Sequence, residues 1–295
     1  MKLIFRGVRG SIPSPGPKTV RYGGNTTCLE VRSDDNDLII LDAGTGIFPL
    51  SQTLFPELPL TVHLFITHTH WDHIQGLPFF IPLFIPGNTL RIHGAADPIT
   101  QREVSEVLSR QMEYAYFPIR EAELKARLEY VSLQECEAIQ AGSAVVTNIM
   151  MNHPVINFGY KVTCNGKTLF FTGDHEWPYN IYEPGDDYYH EYEGLIAQKR
   201  QSIVEFIRGV DVLVVDSAYT EKEYPAKKGW GHGTFDTTIL FAREAGVKHL
   251  FFTHHEPTRG DDALEKVFQE ALDRHPRQPG DPEYHLAMEG VPFEW

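Results

Sequence analysis

Residues 68–73 place three histidines and one aspartate in the order His-x-His-x-Asp-His. They follow residues 61–67, an apolar run typical of a buried strand. A sharp turn after a strand can direct the first two histidines to one side and Asp72 and His73 to another. Imidazole nitrogen together with carboxylate oxygen suits zinc, manganese or iron. A lone His-x-His is weak evidence, but the longer pattern after an apolar strand predicts a metal site.

Three more side chains that can bind metals stand directly after apolar segments: His153, Asp174 and His254. With the motif at 68–73, their order and spacing resemble the metallo-β-lactamase superfamily over essentially the whole chain. The resemblance implies an α/β fold, a four-layer αββα sandwich in a single domain over residues 1–295. It also implies two divalent metal ions at the edge between the sheets, zinc with manganese or iron as alternatives.

The resemblance also divides the ligands between the two ions. One ion would be held by His68, His70 and His153, the other by Asp72, His73 and His254, with Asp174 as the bridge. In such sites the ions lie about 3.5–4 Å apart, and water between them loses a proton near neutral pH. The expected nucleophile is therefore a metal-bridging hydroxide.

His232 and Asp216 discriminate between activities within the superfamily. His232, in Gly-His-Gly-Thr, resembles the additional histidine of the tRNase Z-like phosphodiesterase branch, and Asp216, at a strand end, matches its acidic partner. Hydrolysis of a phosphodiester expels an alkoxide, and a histidine kept protonated by a carboxylate can supply the proton. An ordinary surface histidine in a glycine-rich loop is the alternative. The candidate catalytic residues are Asp72, Asp216 and His232.

The charge of the chain bears on the size of the substrate. Forty acidic against 26 basic side chains give a formal net charge of −14. Proteins that grip long RNA or DNA normally carry a basic patch, whereas the pairs at 199–200 and 227–228 are short and expected to be solvated. The sequence therefore favours a small phosphodiester substrate, in a cyclic nucleotide or a related cyclic phosphate, and no long nucleic acid.

Three other functions remain as alternatives. One is the processing of transfer RNA 3′ ends, and another is the hydrolysis of a lactone or thioester, in which His232 and Asp216 would have no leaving-group role. A catalytically silent binding module is disfavoured because all seven ligand positions are filled. Arg9, Arg21 and Asn25 are further candidates for contact with the substrate.

Composition and termini bear on location and partners. The three cysteines form no CxxC pair, which favours a reducing compartment. Neither a signal peptide nor an apolar run long enough for a bilayer is present, so we expect a cytoplasmic protein without a membrane partner. Relatives in this branch are often dimers, and a homodimer is expected. Residues 175–193, with five tyrosines and six acidic side chains, are too polar for core and could cap the site or form the dimer contact.

Alternating strands and helices predict the elements that position these residues. The best-defined predictions are a hairpin turn at Asn165-Gly166, a helix at 235–245 capped by Thr234, and an amphipathic helix from Asp261 or Asp262. Less regular patterns predict helices at 98–112, with Asp97 as cap and Pro98 in the first position, at 119–129 and at 194–208.

Two smaller features have two interpretations each. Asp42 follows an apolar strand, and it is either a partner of a ligand histidine or a turn aspartate. The aromatic bend at residues 114–118 either packs into the core or forms a wall for a nucleobase or another ring.

Overall fold

The computed structural model describes residues 1–97 and 99–295. Its strands are β1 (Lys2–Gly7), β2 (Cys28–Arg32), β3 (Leu38–Leu41), β4 (Thr61–Phe65), β5 (Thr89–Ala95), β6 (Arg127–Leu133), β7 (Ala138–Ala141), β8 (Ala144–Met151), β9 (Asn157–Cys164), β10 (Lys167–Phe171), β11 (Val212–Asp216), β12 (His249–Thr253), β13 (Glu283–Leu286) and β14 (Pro292–Glu294). The helices are α1 (Ile47–Thr53), α2 (Trp71–Ile74), α3 (Val104–Arg110), α4 (Tyr189–Ile207), α5 (Phe235–Ala245) and α6 (Asp261–Arg274).

The strands form two seven-stranded sheets. The first has the order β14-β1-β2-β3-β4-β5-β6 and the second the order β13-β12-β11-β10-β9-β8-β7. Strands β3 to β6 are parallel to one another, and so are β10 to β13. Because the carboxyl ends of parallel strands meet at one edge, the loops after β4, β10, β11 and β12 can build a common site.

Three apolar clusters make four layers from these elements. One cluster lies between the sheets and combines side chains such as Phe65 of β4 with Phe171 of β10. A second packs α4, α5 and α6 against the outer face of the second sheet, and a third packs α1 and α3 against the outer face of the first. The predicted α/β sandwich of four layers, αββα, is confirmed.

The last two strands connect the sheets. Strand β13 is the edge of the second sheet next to β12, whereas β14 pairs with β1 in the first sheet. In that pairing Leu3 lies opposite Phe293. The sequence analysis predicted neither of these two strands.

Capping and turn residues in the sequence predicted the ends of three elements correctly. Thr234 caps α5 by accepting a hydrogen bond from the backbone N–H of Thr237, and Gly246 adopts the left-handed conformation at its end. Asn165 and Gly166 both have positive φ, as the predicted two-residue hairpin turn requires. Helix α6 begins at Asp261, as predicted.

The helix predicted at 98–112 is wrong in its length. Helix α3 starts only at Val104, after Glu103 as its cap. The carboxylate of Asp97 accepts a hydrogen bond from the N–H of Ile99 and so forms a tight turn instead of a helix cap. Pro98 lies outside the described residues.

The helix predicted at 119–129 is also wrong. Only Glu121–Glu123 form one 3-10 turn, and the chain from Arg127 to Leu133 is strand β6. In β6, Leu128 and Tyr130 pair in parallel with Leu90 and Ile92 of β5. The distant partner strand overrides the local preference, as it often does for strands.

The segment at 175–193 differs from the prediction at both ends. His175 and Glu176 are buried. Nδ1 of His175 accepts a hydrogen bond from the N–H of Asn152, and the carboxylate of Glu176 accepts one from the N–H of Gly231. Helix α4 begins at Tyr189, five residues earlier than the predicted 194. The residues between, such as Ile181 and Tyr188, are largely exposed. Among the described residues, no helix combines the length and apolar character needed to cross a bilayer.

Candidate metal centre

The predicted ligands converge at the common edge of the two sheets. Strand β4 leads into His68 and His70, and the short helix α2 presents Asp72 and His73 from its first turn. The remaining three follow the ends of β8, β10 and β12: His153, Asp174 and His254.

The first group of donor atoms comprises His68, His70, His153 and Asp174. Nε2 of His153 lies 3.1 Å from Nδ1 of His70. Oδ2 of Asp174 lies 3.5 Å from Nε2 of His68 and 3.9 Å from Nε2 of His153. These separations suit several ligands around one ion, since each donor would be about 2.0–2.1 Å from a bound zinc.

The second group comprises Asp72, His73, His254 and again Asp174. Nε2 of His73 and Nε2 of His254 lie 3.1 and 3.2 Å from Oδ1 of Asp174. Oδ2 of Asp72 lies 3.2 Å from Nε2 of His254. Asp174 therefore turns one oxygen to each group, which is the arrangement that a bridging carboxylate requires.

Unpaired buried atoms test whether these residues fit two cations. Nε2 of His68, Nε2 of His73 and Oδ1 of Asp174 are buried without a hydrogen-bond partner among the described residues. Buried polar atoms are rarely left in that state, because each costs roughly 1–3 kcal/mol. Donors of this chemical type, aimed at one another, fit a pair of divalent cations.

The electrostatics of the site support the same conclusion. Burial, together with the neighbouring His73, lowers the pKa of His68 well below its usual value, which leaves the neutral form that ligates metals. Burial alone would also lower the pKa of His254, but Asp174 and Asp216 outweigh it and raise that pKa to about 9. The two carboxylates thus favour positive charge near His254. Bound cations would supply that charge.

Groups behind the ligands hold them in place. Nδ1 of His73 donates to Oδ2 of Asp42 over 2.7 Å, so Asp42 is the partner of a ligand histidine and not only a turn residue. Nδ1 of His153 lies 3.0 Å from the carbonyl oxygen of Gly231, and the N–H of Ser11 donates to Oδ2 of Asp72 over 2.7 Å. Such contacts fix the orientation of the ligand atoms.

His232 and Asp216 lie beside the second group. Nδ1 of His232 is 2.8 Å from Oδ2 of Asp216 and 3.8 Å from Oδ2 of Asp174. Burial alone would lower the pKa of His232, but the Asp216 carboxylate raises it above its usual value. The pair therefore holds a proton next to the metal ligands, with the other ring nitrogen, Nε2, available to a substrate.

Glu176 is a residue close to the site that the sequence analysis missed. Its carboxylate accepts hydrogen bonds from the N–H groups of Gly229 and Gly231 and from the hydroxyl of Tyr224. It therefore holds the loop that carries His232. Its position two residues after Asp174 was the only signal in the sequence.

Two of the cavities near the centre bear on substrate binding. A small one of about 180 Å³ is lined by His232 and His254 together with Ser11, Lys227 and Trp230. Lys227 was expected to be merely solvated, but its ammonium group stands 4.0 Å from the ring centre of Trp230 on the wall of this cavity. It supplies a positive charge on the side where His232 lies.

The larger cavity is an aromatic cleft of about 640 Å³ on the other side of the motif at 68–73. Trp71, Phe79, Tyr116 and Phe117 are among its walls, and Thr69 connects it to the ligand histidines. The ring of Trp71 is 81% exposed and that of Tyr116 77%, so they are open to a ligand. The aromatic bend therefore lines an open cleft, and the interpretation that it packs into the core is wrong.

Three residues proposed for substrate contact do not reach the centre. Arg9 is completely buried, and its guanidinium donates to the carbonyl oxygens of Gly23 and Arg259. Arg21 forms ion pairs on the surface of α6, and the amide of Asn25 donates to a carboxylate, so these polar groups maintain the fold.

Comparisons with known proteins were made on the sequence and on the fold. The model of a family described as "Beta-lactamase superfamily domain" matches residues 38–255. A curated relative, "Ribonuclease Z" from Agathobacter rectalis, is 24% identical over 305 aligned positions, which cover 90% of this chain and 92% of that protein.

Solved structures with similar folds include the following two. The metallo-β-lactamase fold protein YhfI from Bacillus subtilis is 20% identical, with a TM-score of 0.67 over 100% of this chain and 99% of its own. Unliganded yeast PDE1 is 16% identical, with a TM-score of 0.67 over 99% of this chain and 98% of its own. At these identities the likeness shows the fold.

Proposed function

This chain belongs to the β-lactamase superfamily and is a metal-dependent hydrolase, and from that premise we propose that it cleaves a phosphodiester in a small cyclic nucleotide or a related cyclic phosphate. The observation that carries the proposal is the contact of 2.8 Å between Nδ1 of His232 and Oδ2 of Asp216 beside the ligand cluster. An ester or lactone hydrolase would have no evident need for this pair.

The ligand groups would hold two divalent cations, which we propose to be zinc. One would be bound by His68, His70, His153 and Asp174, and the other by Asp72, His73, His254 and the same Asp174. When bound, such cations acidify water and stabilise negative charge on phosphoryl oxygens. The contact from the Ser11 N–H fixes one oxygen of Asp72 in this arrangement.

The proton for the leaving group comes from His232. An alkoxide is a poor leaving group unless it is protonated as its bond to phosphorus breaks. Asp216 orients the imidazole through Nδ1 and favours its protonated form, so Nε2 is the donor. Lys227, on the wall of the same cavity, can pair with a phosphate oxygen of the substrate.

The surroundings of the centre favour a small substrate with a ring. The formal net charge of −14 opposes a long polyanion. The aromatic cleft beside His70 offers Trp71 and Tyr116 as stacking surfaces for a base. Base stacking on aromatic side chains is worth roughly 1–3 kcal/mol per base, which is enough to select a nucleotide.

Processing of transfer RNA 3′ ends is the second candidate. The name of the relative that covers 90% of this chain, "Ribonuclease Z", favours it. The acidic charge of the chain opposes it. Proton donation by His232 is compatible with both a cyclic phosphodiester and precursor tRNA as substrate.

A substrate screen with one variant tests the proposal. The purified protein, with its metal content measured on the same sample, is assayed on cyclic mono- and dinucleotides, a cyclic ribose phosphate, precursor tRNA, a lactone and a thioester. His232→Ala is compared with His190→Ala, an exposed histidine outside the centre. Turnover of cyclic nucleotides that only His232→Ala abolishes, with metal retained, supports the proposal. Preference for precursor tRNA would favour the second candidate, and lactone or thioester turnover indifferent to His232 would overturn both.

A further inference from the structure

A further cluster of side chains that could hold a metal ion lies away from the proposed catalytic centre. It comprises His249, the first residue of β12, with Glu283 and His285 of β13. The centre is reached from the other end of β12, where His254 follows the strand. Five residues of strand separate the two places by about 16 Å, at about 3.3 Å per residue.

The strand register brings the three side chains together. In the parallel pairing of β12 with β13, His249 lies opposite Glu283 and Phe251 lies opposite His285. Because side chains two residues apart share a face of a strand, all of them project from the same face. The face is the inner one, since Phe251 belongs to the cluster between the sheets.

The distances between the donor atoms match those of zinc ligands. Nδ1 of His249 lies 3.4 Å from Nε2 of His285 and 3.4 Å from Oε2 of Glu283, and the last two atoms are 3.9 Å apart. Two ligands at about 2.0–2.1 Å from a tetrahedral zinc ion are about 3.4 Å from each other. Ordinary hydrogen bonds to nitrogen are shorter, at about 2.7–3.2 Å. The spacing therefore fits shared ligation better than direct hydrogen bonding.

Aromatic rings hold the imidazoles in this orientation. His285 stacks on Phe251 with ring centres 4.6 Å apart, and Phe293 of β14 lies 5.0 Å from His249 and 5.7 Å from His285. Packed rings limit the rotation of both histidines. The side chains remain partly open to solvent, at 24% for His249, 54% for Glu283 and 30% for His285, so an ion and a water molecule have access.

We propose that His249, Glu283 and His285 bind a zinc ion, with water as the fourth ligand. Zinc is the metal indicated because two imidazoles and one carboxylate are among its usual ligands. Bound there, zinc would link the edge strand β13 to β12. The link would lie close to Phe293, which belongs to strand β14 of the first sheet. The site would stabilise the junction between the sheets and take no part in hydrolysis.

The test counts zinc ions in the intact protein. Metal-stripped protein is dialysed against low-micromolar free zinc and its zinc content measured. We expect three ions per chain in the native sequence and in His190→Ala, and two in His285→Ala. Phosphodiesterase activity should be the same in all three, and zinc should raise the melting temperature less in His285→Ala.

A second variant guards against a folding defect. In His285→Cys a thiolate replaces the imidazole, and we expect the third ion to return. Equal zinc content in the native sequence and His285→Ala would overturn the proposal, and so would a third ion that binds only at millimolar zinc. Loss of the two catalytic ions affects the proposed function and leaves this inference intact, so the two failures are distinguishable.

Discussion

Asp42 and His73 form a completely buried pair, with Oδ2 of Asp42 2.7 Å from Nδ1 of His73. The carboxylate fixes Nδ1 as the protonated nitrogen, so Nε2 faces Asp174. Thr67 donates to the same carboxylate through its N–H and its hydroxyl. Asp42 therefore aligns a ligand while remaining outside the group of ligands.

Asp42→Asn should weaken metal binding. Residue 42 has a φ of 64°, which asparagine tolerates, so the backbone should be retained. The asparagine amide is uncharged, so Nδ1–H of His73 loses its charged acceptor. Loss of such a partner typically lowers metal affinity about 10–100-fold. Competition with a chromophoric zinc chelator measures the change. Asp35→Asn, on the exposed loop after β2, is the control, and equal zinc affinity of both variants would argue against the role of Asp42.

His232→Ala should slow hydrolysis according to the leaving group. We expect kcat to fall about 10²–10⁴-fold for a cyclic nucleotide, whose alkoxide needs a proton. The decrease should be much smaller for bis-p-nitrophenyl phosphate, because p-nitrophenolate leaves without protonation. Steady-state kinetics on both substrates, with zinc content measured, give the decrease in kcat for each one. If both rates fell equally with metal retained, His232 would not be the proton donor.

Trp71→Ala and Tyr116→Ala should weaken the binding of substrates with a base. Loss of one stacking surface, worth roughly 1–3 kcal/mol, corresponds to an increase in KM of about 5–150-fold. A cyclic ribose phosphate without a base should be hydrolysed at the native rate. Phe55→Ala, an exposed ring near α1, serves as the control. Equal effects on both substrates would exclude the cleft as the base-binding site.

His93 should make the fold sensitive to acid. Burial, with a contribution from neighbouring His63, lowers the pKa of His93 to about 4, and its ring stacks 4.4 Å from that of Phe65. The unfolded chain takes up this proton near pH 6.5 and the folded chain only near pH 4, so the stability is full above pH 6.5 and decreases as the pH falls towards 4.

His93→Phe keeps the stack and removes the proton. Between pH 7 and pH 4.5 its free energy of unfolding should decrease by about 2–3 kcal/mol less than that of the native sequence. Urea unfolding of both proteins at the two pH values, on samples of matched metal content, measures this difference in free energy. Parallel pH profiles of the two proteins would contradict the assignment.

The ligand candidates could be predicted because the motif at 68–73 resembles the superfamily, whose further ligands each follow a strand. The resemblance led to His153, Asp174 and His254 without any knowledge of the strand order. Helix α5 was equally clear, since Thr234 and Gly246 mark its ends locally.

The errors have a common physical origin in distant partners. Residues 127–133 form a strand because β5 is beside them, and nothing within that segment indicates this neighbour. Glu176 and Arg9 are buried and form hydrogen bonds with backbone groups of remote loops, which local sequence patterns do not reveal. The position of Lys227 on the wall of the cavity next to His232 depends on the fold and could not be predicted from its neighbours in the sequence.

The pairing of β1 with β14 has a consequence for biosynthesis. Residues 2–4 pair with residues 292–294, so the ribosome must release the chain as far as residue 294 before the first strand meets its outer neighbour. Until then one side of β1 presents free N–H and carbonyl groups that a nascent chain on the same messenger could capture. This sheet can therefore close only after synthesis has passed residue 294.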